Sequence, residues 1–211
     1  MEAKNYIYLR GGIVQSRISK SFSSITLATD GNSSNLTSFP QIVSYNPEIF
    51  APFKVGERVT VQAHIQQHPI KGKDSIKYET NFVCDNIEKN KRPLAAYVED
   101  VDNFDPYDGG QLSDENYALV FGKLLRIYVP HDNFSLISIL VPSKRNNKMD
   151  ICEVGCFKRQ SEIAQMLDKG DYVMVYGSIR TRNETDENGV RKARQQVICK
   201  DILKVNHLEG F

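Results

Sequence analysis

The 211 residues contain no apolar run long enough to cross a bilayer as a helix, and the opening residues MEAKNYIYLRGG lack the hydrophobic stretch of a secretory leader. A cytoplasmic protein with no membrane partner is expected. Glycine is not clustered into a phosphate-cradling loop, since the pair Gly109-Gly110 stands in an acidic stretch. His131 and Asp132 are adjacent, but no serine or cysteine nucleophile motif accompanies them. No catalytic residue is assigned and no enzyme is expected. Cysteine is scarce too. Cys84 and Cys199 end apolar runs, Cys152 and Cys156 lie within another, and no histidine stands at ligand spacing. That pattern argues against zinc and for buried free thiols in a reducing compartment. No cofactor or metal is expected.

An excess of one charge is also missing, with a net charge of +1. The balance hides an uneven distribution. Residues 1–88 hold 9 Lys and Arg against 8 Asp and Glu, residues 89–115 hold 3 against 7, and residues 116–211 hold 15 against 11. An acidic middle masks a basic C-terminal half, and a polyanion responds to the local field rather than to the total. Hydrophobic residues make up 40%, enough for a real core.

The most informative stretch is Tyr172–Ile202. Val173, Val175 and Ile179 alternate with Met174, Tyr176 and Ser178, the period of a strand with two distinct faces. Arg180 and Arg182 follow, then Asp186-Glu187-Asn188-Gly189, where Asn-Gly supplies the positive φ angles of a tight hairpin. The return strand begins with Arg191, Lys192 and Arg194 and ends in Val197 and Ile198. A long hairpin with a buried root and five cations suits contact with backbone phosphates. Solvated strand faces are the plainer reading of any one of these arginines.

The two halves repeat each other weakly but in order. Asn5-Tyr6 with Gly11 matches Asn116-Tyr117 with Gly122, and Phe22–Leu27 matches Phe134–Ile139. Ile42–Tyr45 matches Val154–Phe157, Gly56–Val61 matches Gly170–Val175, and Val83–Ile87 matches Ile198–Ile202. Each copy reads as five short strands. Between the third and fourth lies the one helical signal: Ser161–Leu167 in the second copy, capped by Gln160 or Ser161, and Asn46–Phe50 in the first, with Pro47 at its first position. Strands 1-2-3, a helix, then strands 4-5 is the order of the OB-fold, a five-stranded Greek-key barrel. The expected architecture is therefore all-β, with two tandem OB barrels over residues 1–88 and 116–206. An acidic linker over 89–115 and a short tail over 207–211 complete the division. Ile163, Met166 and Leu167 are expected to face the core.

At this level of detail the chain resembles the bacterial-type single-stranded DNA-binding (SSB) proteins. The resemblance rests on Ser24–Thr29, Lys169-Gly170-Asp171, Val175–Ile179, Arg180-Thr181-Arg182 and the tip Asp186–Gly189. It covers both copies and is stronger in the second. It implies base stacking on aromatic rings in a basic groove. Phe157 falls on the family's aromatic site at the end of the third strand, with Tyr45 its equivalent in the first copy. Phe39 falls on an aromatic site early in that strand, where the second copy has Ile151. Tyr78 matches an aromatic of the return strand, where the second copy has Ala193. The chain has no tryptophan, on which the family typically stacks bases, and Gln66-Gln67-His68 replaces Arg-Thr-Arg in the first copy. The first copy is thus richer in rings and the second in cations.

The expected nucleic-acid contacts are Phe39, Tyr45, Lys71, Lys73, Lys77 and Tyr78 from the first copy. From the second come Lys144, Arg145, Lys148, Phe157, Lys158, Arg159, Arg180, Arg182, Arg191, Lys192 and Arg194. The implied function is sequence-independent binding and protection of single-stranded DNA in replication, recombination or transfer, with RNA as the competing polymer. The alternative is an OB-fold interaction module that scaffolds a replication or conjugation complex. Family members assemble four OB units, so two per chain imply a homodimer. Strand one of each copy (Tyr6, Tyr8; Tyr117, Leu119) offers an interface edge. The acidic linker around Val98–Pro106 is a candidate docking segment for replication or repair proteins. A phage or other mobile element would suit the tandem layout.

Overall fold

A computed structural model of the chain describes residues 4–30, 37–71, 76–90, 114–144, 148–185 and 191–205. The linker and the tail fall almost wholly outside these residues. The first half contributes β1 (Lys4–Ile18), β2 (Ser23–Asp30), β3 (Thr37–Ser38), β4 (Gln41–Ser44), β5 (Arg58–Lys71) and β6 (Ile76–Lys89). The second contributes β7 (Glu115–His131), β8 (Phe134–Pro142), β9 (Met149–Phe157), α1 (Arg159–Gln165), β10 (Tyr172–Thr185) and β11 (Arg191–Lys204).

Both halves close in the same way. β1 pairs antiparallel with β2 and β5, β2 with β4, and β5 with β6, and a parallel β4–β6 contact shuts the ring. β7 pairs with β8 and β10, β8 with β9, and β10 with β11, and a parallel β9–β11 contact shuts the second ring. This is the strand order of the OB barrel. The first strand of each barrel must serve two neighbours in succession, so it bends. A Cβ on Gly11 would lie 2.1 Å from the Ala28 carbonyl oxygen, and one on Gly122 would lie 2.0 Å from that of Leu140. Only glycine lets the backbones approach that closely. The alternating residues fill the interiors: Ile7, Leu9, Leu27, Ile42, Val61 and Phe82 in the first barrel, and Val120, Ile137, Val154, Val173, Val175 and Ile179 in the second. All four cysteines are buried and unpaired. Burial pushes the Cys84 thiol up to about 12 and the Cys152 thiol higher still, which keeps both protonated and inert.

The barrels are joined by an antiparallel β1–β7 ladder running from Lys4 opposite Phe121 to Arg10 opposite Glu115. The first-strand edges expected to face another chain are therefore used within this one. On the outer side of the ladder Tyr8 stacks on Tyr117 at 5.0 Å, and Arg10 Nη1 donates to Glu115 Oε1 at 2.8 Å. An Arg58–Asp114 ion pair also spans the junction.

Two helix expectations need correction. The first copy has only a 3-10 turn over Pro47–Ile49, capped by the Asn46 side chain. Pro52 follows within one turn and disfavours helical backbone at Ala51, so the turn cannot propagate. In the second copy α1 starts from Lys158, without a side-chain cap. Its inward face is Ser161, Ala164 and Leu167, with Ile163 packed against the core, while Met166 is 79% exposed. Met166, at the C-cap and still in right-handed helical backbone, stands about 200° of helical rotation from inward-facing Ala164 and so projects away from the barrel.

Candidate nucleic-acid interface

Each barrel sends its β-hairpin across the other barrel. Pro40, which has no N–H of its own, stands with Phe39 in the break between β3 and β4, and the Phe39 N–H turns to the other barrel. That N–H donates to Thr181 Oγ1 of β10 at 2.9 Å. Beside it the Gln195 amide acts as a substitute strand partner for Gln41: Gln41 N donates to Gln195 Oε1 at 2.9 Å, and Gln195 Nε2 donates to the Gln41 carbonyl at 3.2 Å. Thr181 and Gln195 are opposite each other on the β10–β11 hairpin. The face they define continues inward to Ile179 and Val197, which are buried. The alternate face carries Arg180, Arg182 and Arg194, all exposed, with Arg182 directly opposite Arg194. The cationic hairpin is thus fastened to the first barrel at Phe39, whose ring is 47% exposed.

The reciprocal contact is made by β5. Gln67 N donates to Asp150 Oδ1 at the start of β9, at 3.3 Å. An open cleft of about 780 Å³ lies here between the hairpin root and the outer face of the second barrel, lined among others by Gln67, Arg126, Ile151, Glu153 and Lys169. The two crossings differ chemically. Where the first barrel presents Phe39, the second presents Ile151. Arg126 is partly neutralised by Glu153 at 3.8 Å.

The other expected contacts fall into three groups. Tyr45 and Phe157 are exposed, at 45% and 42%, on the outer faces. Tyr45 meets Phe22 edge-on at 6.4 Å, and Phe157 meets Phe134 at 4.7 Å. Lys158 and Arg159 follow Phe157 at the surface, and Lys158 adopts a positive φ of 49°. Lys148 is exposed at the foot of the β8–β9 loop, where Ser143 N donates to its carbonyl at 2.9 Å. Lys144, in contrast, reaches back to the first barrel and donates to Asp85 Oδ2 at 2.6 Å, while buried His64 Nδ1 lies 2.9 Å from Asp85 Oδ1. Burial pushes the Asp85 carboxyl up, but hydrogen bonds from His64 and Lys144 outweigh it and hold the pKa below the ordinary carboxylate value. Lys71, Lys77, Arg191 and Lys192 lie in the paired arms of the hairpins, as does Tyr78, but their side chains are outside the described residues. Lys73 and Arg145 are wholly outside them.

Phe22 and Phe134 were not among the expected site residues. The internal repeat had already set them opposite each other, and their outward direction follows from counting back from buried Ser23 and Ser135. Among the described residues no cluster of His, Cys, Asp or Glu is placed to hold a metal ion, and no helix is long and apolar enough to cross a membrane.

The strand order of the two closed barrels defines a tandem OB-fold protein. Residues 132–205, within the second barrel, match the model of the single-strand binding protein family. No curated protein matches the sequence. Among solved structures the chain is similar to the wild-type single-stranded DNA binding protein from Thermus aquaticus, at 15% identity and a TM-score of 0.66, covering 100% of this chain and 97% of that one. A deletion mutant of the same protein gives a TM-score of 0.67 at 15% identity, with the same coverage. At this identity the likeness establishes the two-barrel fold.

Proposed function

We propose that the chain binds single-stranded DNA without sequence preference, using rings from both barrels and the cations of the second. One observation carries this reading: the hairpin bearing Arg180, Arg182 and Arg194 is fastened across the first barrel beside the exposed ring of Phe39. A base stacked on an aromatic contributes about 1–3 kcal/mol whatever its identity. Arginines alongside add phosphate contacts that weaken with salt. The family match of the second barrel supports the same reading, and it does not favour a scaffold without DNA binding.

The finer assignments rest on the same footing. The contacts are Phe39, Tyr45 and Phe157 for stacking, with Lys148, Lys158, Arg159, Arg180, Arg182 and Arg194 for phosphates. The chain is divided into binding units over 1–88 and 116–206. It acts as a binding protein rather than an enzyme, in the cytoplasm, in DNA replication or recombination. A homodimer would supply four barrels, and light scattering at twice the chain mass is the expected result. The central test is titration with an oligo-dT length series at two salt concentrations. Affinity should rise with length and fall with salt. No binding at low salt would reject the proposal.

A further inference from the structure

We propose that Phe134, flanked by His131, extends the Phe157 stacking position into a platform that holds successive bases on the outer face of the second barrel. The inference rests on the single-stranded DNA reading above. Phe134 is opposite Phe157 across β8–β9 and opposite His131 across β7–β8. The ring centroids are 4.7 and 5.8 Å apart, with planes tilted by 42° and 32°. Three rings therefore form a row across three neighbouring strands. The row lies on the side away from the core, because the next residues in the alternation, Ser135 and Cys156, are fully buried.

The row is held firmly. Lys158 N donates to the Asn133 carbonyl at 2.9 Å, which ties the β7–β8 turn to the end of β9. Beneath the rings, a Cβ at Gly155 would come within 3.2 Å of Phe134 Cε2, so glycine at this position lets the ring settle against the strand. A stacking surface gains from such fixed geometry, since little freedom is lost on binding.

The first barrel supplies an independent observation. Phe22 and Tyr45 form the corresponding pair there, with centroids 6.4 Å apart and an edge-on tilt of 62°. Ser19 closes that turn, its N–H donating to the Phe22 carbonyl, where the second barrel has His131. The aromatic pair therefore recurs in the repeat, and the second barrel carries one ring more. A pair that served only to hold strand register would need neither the exposed Phe157 nor the added exposed ring of His131. The occupant is an unpaired polynucleotide because the row continues into Phe157, Lys158 and Arg159 of the proposed interface.

The absence of tryptophan makes the test direct. Phe134→Trp places a single indole in the row, and Met166→Trp places one on the outer side of α1 as a control. Each full-length variant is titrated with fluorescein-labelled oligo-dT, reading anisotropy for binding and indole emission for contact. Quenching at position 134 with none at position 166 is expected. Phe134→Leu, which keeps an apolar side chain over Gly155, should weaken binding about tenfold while leaving the melting temperature near that of the parent. Binding with an unquenched indole at 134 and parental affinity in Phe134→Leu would overturn the platform and leave the function intact. Failure of the parent chain to bind oligo-dT would overturn both.

Discussion

Asn5 and Asn116 make the same pair of hydrogen bonds in the two barrels. Asn5 Nδ2 donates to the Ile65 carbonyl at 2.7 Å and Asn5 Oδ1 accepts from Ile65 N at 2.8 Å; Asn116 does the same with Ile179, at 2.7 and 2.8 Å. In each barrel this is where the backbone ladder between the first and fourth strands stops, after Ile7 opposite Ala63 and after Ala118 opposite Gly177. Beyond this fork the hairpin departs to cross the other barrel. The asparagine amide satisfies both backbone groups that the departing strand would otherwise leave unpaired in the core.

Replacing either asparagine with alanine should therefore destabilise the fold by about 1–3 kcal/mol, the cost of leaving buried polar groups unpaired. Urea denaturation measures it, and a change below about 0.5 kcal/mol would place the effect in the range of ordinary surface substitutions. Asn116→Ala should also weaken oligo-dT binding, because Asn116 Nδ2 reaches Thr29 Oγ1 of the first barrel at 3.3 Å and so helps seat the cationic hairpin.

Phe39→Ala should lower oligo-dT affinity by about 1–3 kcal/mol. Its effect on stability should stay within about 0.5 kcal/mol, because the ring is nearly half exposed. Phe39→Trp should retain or improve binding. Equal affinity for Phe39→Ala and parent would remove this ring from the interface.

Arg182→Ala should weaken binding about equally for all sequences and reduce the slope of log affinity against log salt by about 0.7, the value for one phosphate contact on a single strand. An unchanged slope would show that the exposed face of the hairpin does not meet the strand.

The Asp85 cluster predicts an acid-sensitive junction. A carboxyl whose pKa is lowered in the folded protein stabilises it above the unfolded-state pKa of about 3.9, and this contribution is lost as pH falls through the folded-state pKa. The chain should therefore lose stability below about pH 4, with Lys144 released from the first barrel. Asp85→Asn should be less stable at neutral pH and show a flatter acid limb. Thermal melts from pH 3 to 7 provide the measurement.

Much of this was legible in the residues. Alternation at Val173, Val175 and Ile179 fixed which face of β10 is buried, and the repeat placed Asn5 with Asn116, Gly11 with Gly122, and Phe22 with Phe134. These are local or periodic signals. The crossing of the hairpins was not legible, because Gln41 and Gln195 meet through one side chain and a strand edge 154 residues away, and nothing in either neighbourhood marks the other as partner. The pairing of Lys144 with Asp85 was hidden for the same reason. Met166 was misplaced because apolar character alone put it with Ile163 and Leu167, whereas helical rotation of about 200° from buried Ala164 sets it on the outer side.

The β1–β7 ladder makes the two halves each other's missing edge. Strand-to-strand bonding, together with the Gln41–Gln195 clasp, holds them in register independently of the covalent tether between β6 and β7. Severing that tether with a protease should yield two fragments that co-elute as one particle and, once separated in denaturant, find each other again on dilution.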